Sequence, residues 1–527
     1  MFNPKTSYGL AILSGILLLL SFPPFNLGGF LAWFALVPLL IAVYNETKVK
    51  RIKRLLLVTS ICIAPLFVFM YSEFDFFLPS IVAWPLGIIV AVEIGKWVIW
   101  YIENHWKPKQ LPTKGLSYLP STLQVFLVPI FGTAVEFLAM NLPVVMKLGG
   151  ALGIFSLSRT QWLNVPILQL ASFTGMYSIT FLILLVNCAM AYAIIYYKET
   201  SRICKQAIGV LLILTFIFVW GWVNVPEHVA GDTTVVIIQS MPEVIETEHV
   251  NELYANLSEY SLKYEPDIIL WPIVFNFESG QPSGPFADQY VNFSEENDVH
   301  LVYVGGVVYP DGETEPYNPH YLYINIFEGI IPFDSNKILP ELKGFDTKYG
   351  KLGILICMES ASTIPTSKFV ENGTQFIVVT SGNLPVIGAL QGLHGGSVVY
   401  RAVEHRIYTA LFFGPGDSII VDPYGRIIED TAPEPEIVAG KISFATDETT
   451  FYTRYGDIFG WTIIGLALVL VCYNLYLKRK SQFKYCEKCR AKMEKDAEVC
   501  PKCGKSQRKP PLWKRILLNE YYKHIKK

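Results

Sequence analysis

The sequence has few charged residues for its length. Asp, Glu, Lys and Arg make up 17% of the 527 residues, and hydrophobic residues make up 52%. A soluble globular chain carries about 25% charged residues. This deficit excludes an ordinary soluble enzyme and a disordered chain, and it indicates a membrane protein. A chain of this length also exceeds one hydrophobic core, so several folding units are expected.

Eight apolar runs approach the roughly 20 residues that a helix needs to cross a bilayer. They lie near residues 7–24, 28–45, 55–75, 82–102, 123–142, 174–197, 207–224 and 457–477. Lys and Arg cluster after the second, fourth, sixth and eighth runs and are scarce after the first, third and fifth. Because basic residues mark cytoplasmic loops, we expect both termini in the cytoplasm and residues 225–456 outside. No cleavage site follows the first run, so we expect an anchor there and not a removed signal peptide.

Charge is distributed unevenly along the chain. Residues 232–447 contain 30 acidic and 10 basic side chains, whereas residues 478–527 contain 17 basic and 5 acidic ones. An acidic body and a basic tail usually face different surroundings. Since an apolar run directly precedes the tail, we expect the tail to lie on anionic lipid and expect no nucleic-acid partner.

From residue 233, short β-branched runs alternate with helical stretches. The predicted strands are Thr234–Gln239, Asp267–Trp271, His300–Val308, Leu352–Cys357, Gln375–Thr380, Tyr408–Phe413 and Ser418–Asp422. The predicted helices lie at 247–263, 287–297, 362–372 and 394–404. Near-continuous apolar strands imply sheets that are covered on both faces. The alternation predicts a layered α/β domain.

Cysteine is almost absent from this outer domain, which contains Cys357 alone. A lone cysteine cannot form an internal disulfide. Cys357 ends an apolar strand, where α/β folds place reactive groups. It is therefore either a buried small hydrophobe or a nucleophile. A nucleophilic thiol needs a nearby cation or base, and Lys337 is a candidate, although most lysines simply face solvent.

Several motifs occur in a characteristic order. They are Val235–Gln239, Tyr317-Asn318, Lys337 with Leu339-Pro340-Glu341, Ile356-Cys357 with Glu359, Arg401-Ala402-Val403-Glu404 and Asp422-Pro423-Tyr424-Gly425. With these motifs and the predicted spans, residues 1–477 resemble the apolipoprotein N-acyltransferase family, a membrane-embedded branch of the nitrilase (carbon–nitrogen hydrolase) superfamily. The resemblance implies an extracytoplasmic αββα domain of the nitrilase type.

The resemblance also implies a Glu–Lys–Cys triad. Cys357 matches the nucleophile that forms an acyl thioester, and Lys337 matches the lysine that stabilises the oxyanion. Glu341, Glu359 and Glu404 match supporting carboxylates, which equally fit salt bridges.

The triad glutamate itself is missing. The family reads Trp-(Pro or Ser)-Glu where this chain reads Trp271-Pro272-Ile273, and isoleucine cannot accept a proton. Three alternatives remain open. Glu278 swings into the site, His394 serves as the base, or the site is degenerate and only binds. Glu278 also fits a solvated loop carboxylate, and His394 fits a helix-cap or surface histidine.

The tail contains two Cys-x2-Cys pairs. They are Cys486 with Cys489 and Cys500 with Cys503. This spacing predicts a tetrahedral zinc site, and four thiolates make the metal structural and not catalytic. No catalytic cofactor is expected. The cytoplasm keeps thiols reduced, which agrees with the predicted topology.

These observations predict the organisation of the whole chain. It comprises a seven-span domain at 1–224, a nitrilase-like domain at 225–456, an eighth span at 457–477, a zinc ribbon at 482–506 and a basic tail at 507–527. We expect a multi-pass protein of the cytoplasmic membrane that transfers an acyl chain from phospholipid, through Cys357, to the N-terminus of a lipoprotein. The alternative is a degenerate relative that binds lipid or lipoprotein without turnover. The ribbon is expected to bind a cytoplasmic protein.

Overall fold

The computed structural model describes only part of the chain. The described residues are 4–22, 26–43, 54, 121–141, 156–196, 201–228, 230–238, 255–271, 287–303, 306–316, 342, 344–380, 388–412, 418–428, 437–444, 449–481, 483–486, 489, 491–494, 497 and 499–504. The chain divides into two compact units. The first is Met1–Pro108 with Val125–Ile464, and the second is Lys109–Gln124 with Gly465–Lys527.

Apolar helices make up the amino-terminal part of the first unit. They are α1 Pro4–Leu19, α2 Val37–Val43, α3 Ser121–Asn141, α4 Val165–Leu168, α5 Ala171–Thr174, α6 Met176–Tyr196 and α7 Ser201–Val223. Short 3-10 helices lie at Asn26–Trp33 and Leu157–Gln161. Within the described residues, one helical segment, Met176–Ile195, is both long and apolar enough to cross a membrane. The eight-span arrangement therefore stays a prediction, and the spans near 55–75 and 82–102 lie outside the described residues.

The apolar run at 28–45 is not one regular α-helix, and its role as a span stays a prediction. The 3-10 helix there ends at Trp33, a turn follows, and α2 begins at Val37. Pro38 lies in the first turn of α2, the helical position that tolerates a missing N–H. Asn187 of α6 satisfies the backbone near the break, because its amide donates to the oxygen of Ala32 (2.8 Å) and its Oδ1 accepts from the N–H of Leu36 (2.9 Å).

Two six-stranded mixed sheets form the α/β part of the first unit. The strands are β1 Thr233–Ile238, β2 Ile268–Leu270, β3 His300–Tyr303, β4 Gly306–Val308, β5 Thr314–Pro316, β6 Phe345–Thr347, β7 Gly350–Ile356, β8 Phe376–Thr380, β9 Tyr408–Phe412, β10 Ile419–Val421, β11 Ile427–Ile428 and β12 Ile437–Ile442. The first sheet has the order β12-β1-β2-β3-β4-β5, and the second has the order β11-β10-β9-β8-β7-β6. In each sheet three consecutive strands run parallel, β1 to β3 and β7 to β9.

Helices cover the outer faces of both sheets. They are residues 255–261, α8 Ala287–Asn297, α9 Thr363–Glu371 and α10 Gly388–His405. Val236 and Trp271 of the first sheet pack with Tyr290 of α8. A Cβ on Gly353 of β7 would lie 3.0 Å from the Phe369 ring of α9, so this face of the second sheet is closely covered.

The inner faces of the sheets share one core. Ile237 and Leu270 of the first sheet belong to the same buried cluster as Leu352 and Ile354 of the second. The arrangement is helix–sheet–sheet–helix, which confirms the predicted layered α/β class.

One predicted strand is a hairpin. The sequence His300–Val308 was expected to form a single strand, but β3 and β4 pair antiparallel, with Tyr303 opposite Gly306. Gly306 has a φ of 152°, which a side chain would disfavour. The glycine therefore permits a reversal that the apolar pattern does not reveal.

The segment before α6 packs on α10 of the α/β part. A Cβ on Gly395 would lie 3.1 Å from Cζ3 of Trp162, and one on Gly396 would lie 3.4 Å from the Trp162 Cβ. The Tyr400 hydroxyl donates to the oxygen of Ser158 at 2.6 Å. A side chain on Gly395 would crowd the Trp162 ring, whereas a Cβ on Gly396 would meet it at an ordinary van der Waals distance.

Helices α11 Phe451–Tyr455 and α12 Ile458–Ser481 follow the last strand of the first sheet. The second unit contains the later part of α12 and a small hairpin of β13 Phe483–Tyr485 and β14 Lys492–Glu494.

Candidate active site and cysteine cluster

Cys357 begins the 3-10 turn Cys357–Ala361 that directly follows β7. Since β7, β8 and β9 run parallel, their carboxyl ends lie at one edge of the sheet, where α/β folds commonly build sites. The structure describes the backbone of Cys357 but not its side chain. Four other positions of the predicted triad and its support lie outside the described residues: Lys337, Glu341, Glu278 and Ile273.

Glu359 fixes the junction between β7 and this turn. Its side chain is 9% exposed, and Oε2 accepts a hydrogen bond of 2.7 Å from the backbone N–H of Ile356. The bond joins the last residue of the strand to the turn that begins at Cys357. A supporting position for Glu359 agrees with this contact, although its role in chemistry stays a prediction.

Arg159 is a buried cation that contacts the last residue of the same turn. It is completely buried in the 3-10 helix Leu157–Gln161. Its Nη2 donates to the oxygen of Ala361 at 3.3 Å, and its Nη1 donates to Ser397 Oγ. Burial is the main cause that lowers the pKa of Arg159 to about 10, and the nearby charge of Arg401 is the second. The guanidinium therefore remains charged at neutral pH beneath the turn of Cys357.

No motif in the sequence placed Arg159 in the site. Arg159 and Lys147 are the two basic residues between positions 143 and 173. A charged residue between two apolar runs usually faces solvent, and its burial depends on contacts more than 200 residues away.

His394 is completely buried in α10, next to the paired glycines. Burial is the main cause that lowers the pKa of His394 to about 3, and the charge of Arg159 is the second. A histidine with so low a pKa is neutral at pH 7 and is a weak proton acceptor. This environment disfavours His394 as the base that replaces the missing glutamate. Its predicted surface or cap position is also wrong, because the side chain is inaccessible.

Glu404 joins the α/β part to α6. Its Oε2 lies 2.6 Å from Nη2 of Arg401, with both side chains fully buried, and its Oε1 accepts from the N–H of Met176 at 3.0 Å. Burial raises the pKa of Glu404 to about 7, against the opposing effect of Arg401. These contacts are those of a buried salt bridge between α10 and α6. They agree with the salt bridge that the sequence analysis gave as the alternative for Glu404.

The four tail cysteines converge in the second unit. Their sulfur atoms all lie within 4.8 Å of one another. The sulfur–sulfur distance is 3.5 Å between Cys486 and Cys503 and 3.6 Å between Cys489 and Cys500. Four thiolates around tetrahedral zinc, each about 2.3 Å from the metal, lie roughly 3.8 Å apart. The donor set therefore fits zinc.

Two solved structures show similarity to part of this chain. A carbon–nitrogen hydrolase from Helicobacter pylori matches with a TM-score of 0.33 and 14% identity, covering 44% of this chain and 94% of that one. An amidase from Nesterenkonia sp. matches with a TM-score of 0.35 and 15% identity, covering 43% and 94%.

The family-level comparison is more specific. The model of the apolipoprotein N-acyltransferase N-terminal domain matches residues 14–189. Apolipoprotein N-acyltransferase of Geobacter metallireducens is 25% identical over 532 residues, which cover 91% of this chain and 96% of that protein. The enzyme of the same name from Thermotoga maritima is 25% identical over 508 residues, covering 88% and 92%. The resemblance to the apolipoprotein N-acyltransferase family is therefore confirmed.

Proposed function

We propose that this chain is a membrane N-acyltransferase that moves an acyl chain from phospholipid to the N-terminus of a lipoprotein. The main support is similarity to apolipoprotein N-acyltransferases over 91% of the chain and 96% of a relative. The position of Cys357 at the carboxyl end of β7 agrees with this proposal. The similarity supports lipoprotein N-acylation at the family level.

The reaction has two steps on one sulfur. The Cys357 thiolate attacks the ester carbonyl of the phospholipid, a thioester forms, and the lysophospholipid leaves as an alcohol after gaining a proton. The amine of the acceptor then attacks the thioester carbonyl. An amide forms, the thiol leaves, and the proton lost by the amine returns to the sulfur. Lys337 would stabilise the oxyanion in both steps.

The family motif does not supply the group that accepts the proton of the Cys357 thiol in the first step. Ile273 occupies the position of the family glutamate, and the low pKa of His394 disfavours that histidine. We therefore propose Glu278 as the acceptor in an active enzyme. Loss of a general base typically costs about 10²–10⁴-fold in rate, so the assignment of Glu278 has a large measurable consequence.

The second candidate function is binding without turnover. The replacement of the triad glutamate by Ile273 favours this alternative, because isoleucine cannot accept a proton. A degenerate site would still bind a phospholipid or a lipoprotein in the same place.

One experiment separates the two candidates. The full chain in detergent is incubated with a phospholipid that carries an alkyne-labelled acyl chain, and the peptide containing Cys357 is analysed by mass spectrometry. An active enzyme gives a hydroxylamine-sensitive acyl adduct on Cys357 that Cys357→Ala abolishes and Glu278→Gln slows. Replacement of the exposed Cys472 by Ala is the matched control and leaves the adduct unchanged. Absence of any adduct, with lipid binding retained, assigns the binding function.

We also propose that Cys486, Cys489, Cys500 and Cys503 bind one structural zinc ion. Their convergence within 4.8 Å supports this assignment. Metal analysis of the purified chain is expected to find one zinc per protein, and replacement of Cys486 and Cys500 by Ser is expected to abolish it. Zinc content that is unchanged in this variant would contradict the assignment.

The proposed location is the cytoplasmic membrane, with several spans, the α/β part outside and the cysteine cluster inside. The apolar helices and the similarity to acyltransferases of lipoproteins support this location. A cytoplasmic protein that binds the cluster stays a prediction from the position of the ribbon.

A further inference from the structure

A carboxylate joins the start of helix α12 to the start of α9. Asp457 directly precedes α12, and its Oδ2 accepts a hydrogen bond of 2.8 Å from Oγ1 of Thr363, the first residue of α9. Its Oδ1 accepts a second bond of 2.9 Å from the hydroxyl of Tyr452 in α11. An aspartate directly before a helix usually accepts from the backbone of that same helix. Here both oxygens of the carboxylate hold side chains of two other helices.

Thr363 lies two residues beyond the turn that contains Cys357. The turn is Cys357–Ala361, and Ser362 follows it and caps α9. The N–H of Ser362 donates to the oxygen of Glu359 within the turn at 3.2 Å, so α9 begins directly from the turn. A displacement of Thr363 would therefore move the Cys357 turn with it.

The turn is held from three directions. Glu359 bonds it to the end of β7, and Arg159 bonds its last residue to the segment before α6. The bond between Asp457 and Thr363 is the contact of the three that comes from α12. This bond therefore sets the position of the turn relative to the start of α12.

Tyr452 fixes the direction in which the carboxylate points. Its side chain is 1% exposed, and its ring contacts the ring of His405 at the end of α10, with centroids 5.4 Å apart. The same ring packs against Gly175, where a Cβ would lie only 2.6 Å from it. Because α10 and the start of α6 enclose the ring, its hydroxyl has little freedom. The hydrogen bond from this hydroxyl keeps Oδ2 of Asp457 directed at Thr363.

The position of this turn matters because acyl transfer depends on the approach of a sulfur atom to a carbonyl carbon. A catalytic group must be held within about 0.5 Å of its productive position, and a displacement of about 1 Å can cost about 10²-fold in rate. In the proposed function the acyl donor lies in the membrane, which α12 is predicted to cross. A fixed relation between α12 and the turn would align Cys357 with a substrate at a defined depth.

We propose that Asp457 is a positioning residue for the reaction at Cys357. It acts through Thr363 and holds the Cys357 turn in a fixed place relative to the start of α12. The inference rests on the proposed acyl-transfer function and adds to it a residue that the triad motif does not contain. Because Asp457 acts on the turn and not on the lipid, loss of its contact is expected to slow the reaction without weakening lipid binding.

The test follows the first step of the proposed reaction in single turnover. The full chain in detergent is mixed with a phospholipid that carries an alkyne-labelled acyl chain, well below the unfolding temperature. The rate of adduct formation at Cys357 is measured over a range of lipid concentrations. Thr363→Val removes the hydroxyl and keeps a branched side chain of similar size. We expect it to lower the maximum rate about ten- to hundredfold and to leave the half-saturating lipid concentration unchanged.

The same helix offers a matched control, Thr366→Val. Thr366 is fully buried in α9, and within the part of the chain that the structure describes its Oγ1 has no hydrogen-bond partner. We expect this variant to react at the parent rate. Thr363→Ser keeps the hydroxyl, so we expect it to restore most of the rate. Thermal unfolding of each variant is measured as well, because a role limited to stability would lower the unfolding temperature without slowing the folded chain.

A double variant tests whether the two residues act through their mutual bond. Since Thr363→Val and Asp457→Ala remove the same hydrogen bond, the double variant is expected to react no more slowly than Asp457→Ala alone. Equal maximum rates in the Thr363→Val and parent chains would overturn the positioning role and leave acyl transfer intact, as would losses that add in the double variant. Absence of an adduct in the parent chain would instead reject the acyl-transfer function, and this inference with it.

Discussion

At the scale of single residues, we expect the buried pair of Arg401 and Glu404 to be sensitive to mutation. Both side chains are fully buried, and the carboxylate also accepts the N–H of Met176. We expect Glu404→Gln to lower the free energy of unfolding by about 3–5 kcal/mol, because it leaves a buried guanidinium without its counter-charge. Thermal unfolding of the detergent-solubilised chain measures the effect.

The chain offers a matched control for this substitution. Lys368 and Glu371 form a pair at the same i,i+3 spacing in α9, but their side chains are 42% and 53% exposed. An exposed pair contributes at most about 1 kcal/mol, so Glu371→Gln should change little. Equal losses in the two variants would mean that the Arg401–Glu404 pair is not what holds this interface.

A second residue-scale prediction concerns pH. Burial is the main cause that lowers the pKa of His405 to about 3, and the charge of Arg401 is the second. The ring of Tyr452 and the hydroxyls of Ser367 and Thr453 also face it. Because the unfolded histidine titrates near 6.5, the unfolded state binds the extra proton between pH 6.5 and 3, and stability falls as the pH falls.

The measurement compares the parent chain with His405→Gln at pH 7 and pH 5. We expect the parent to lose about 2 kcal/mol more than the variant over this interval, since each pH unit below 6.5 is worth about 1.4 kcal/mol. Comparing the two chains cancels the opposite trend from Glu404, whose raised pKa favours folding at lower pH. Parallel pH profiles would show that His405 is accessible to protons in the folded state.

Sequence patterns identified part of the site at this scale. The motif around Cys357 placed Glu359 next to the strand end, and the structure adds its bond to the N–H of Ile356. Burial of Arg159 and His394 was not predictable, because their neighbours come from distant segments. A local sequence window contains no record of those tertiary contacts.

At the scale of elements, the ends of the two short helices α5 and α11 depend on glycines with positive φ. Gly175 has a φ of 70°, and a Cβ there would lie 2.6 Å from the Tyr452 ring. Gly456 has a φ of 57° and nothing within 4 Å of the same position. Gly175→Ala therefore combines backbone strain of about 1–3 kcal/mol with overpacking of about 1–3 kcal/mol, whereas Gly456→Ala has the strain alone.

Thermal unfolding of the two alanine variants separates these effects. We expect both to be less stable than the parent chain and Gly175→Ala to be the less stable of the two. A Tyr452→Leu background should reduce the difference between them, because it removes the ring that the new Cβ meets. Equal stability of the two variants would contradict the role assigned to the contact with Tyr452.

Strands were more predictable than breaks within elements. The strand Thr233–Ile238 is β-branched at every position and buried throughout, and this local signal locates it directly. The break between Trp33 and Val37 was missed because Asn187, far along the chain, satisfies its backbone. The hairpin at Gly306 was missed because an apolar run does not show where the chain reverses.

At the scale of the whole molecule, the unequal distribution of charge predicts an orientation. The acidic residues lie mainly in 232–447 and the basic ones in 478–527 and after every second apolar run. If basic segments stay in the cytoplasm, a cysteine introduced at the exposed Lys441 of β12 faces outward, and one at the exposed Lys502 faces inward. A membrane-impermeant maleimide should then label Lys441→Cys in intact cells, but Lys502→Cys only after permeabilisation. The parent chain corrects for labelling of the native cysteines.

An even number of spans puts both termini on one side of the membrane. Labelling of both introduced cysteines in intact cells would therefore require an odd number of spans, and it would place the α/β part on the same side as the cysteine cluster.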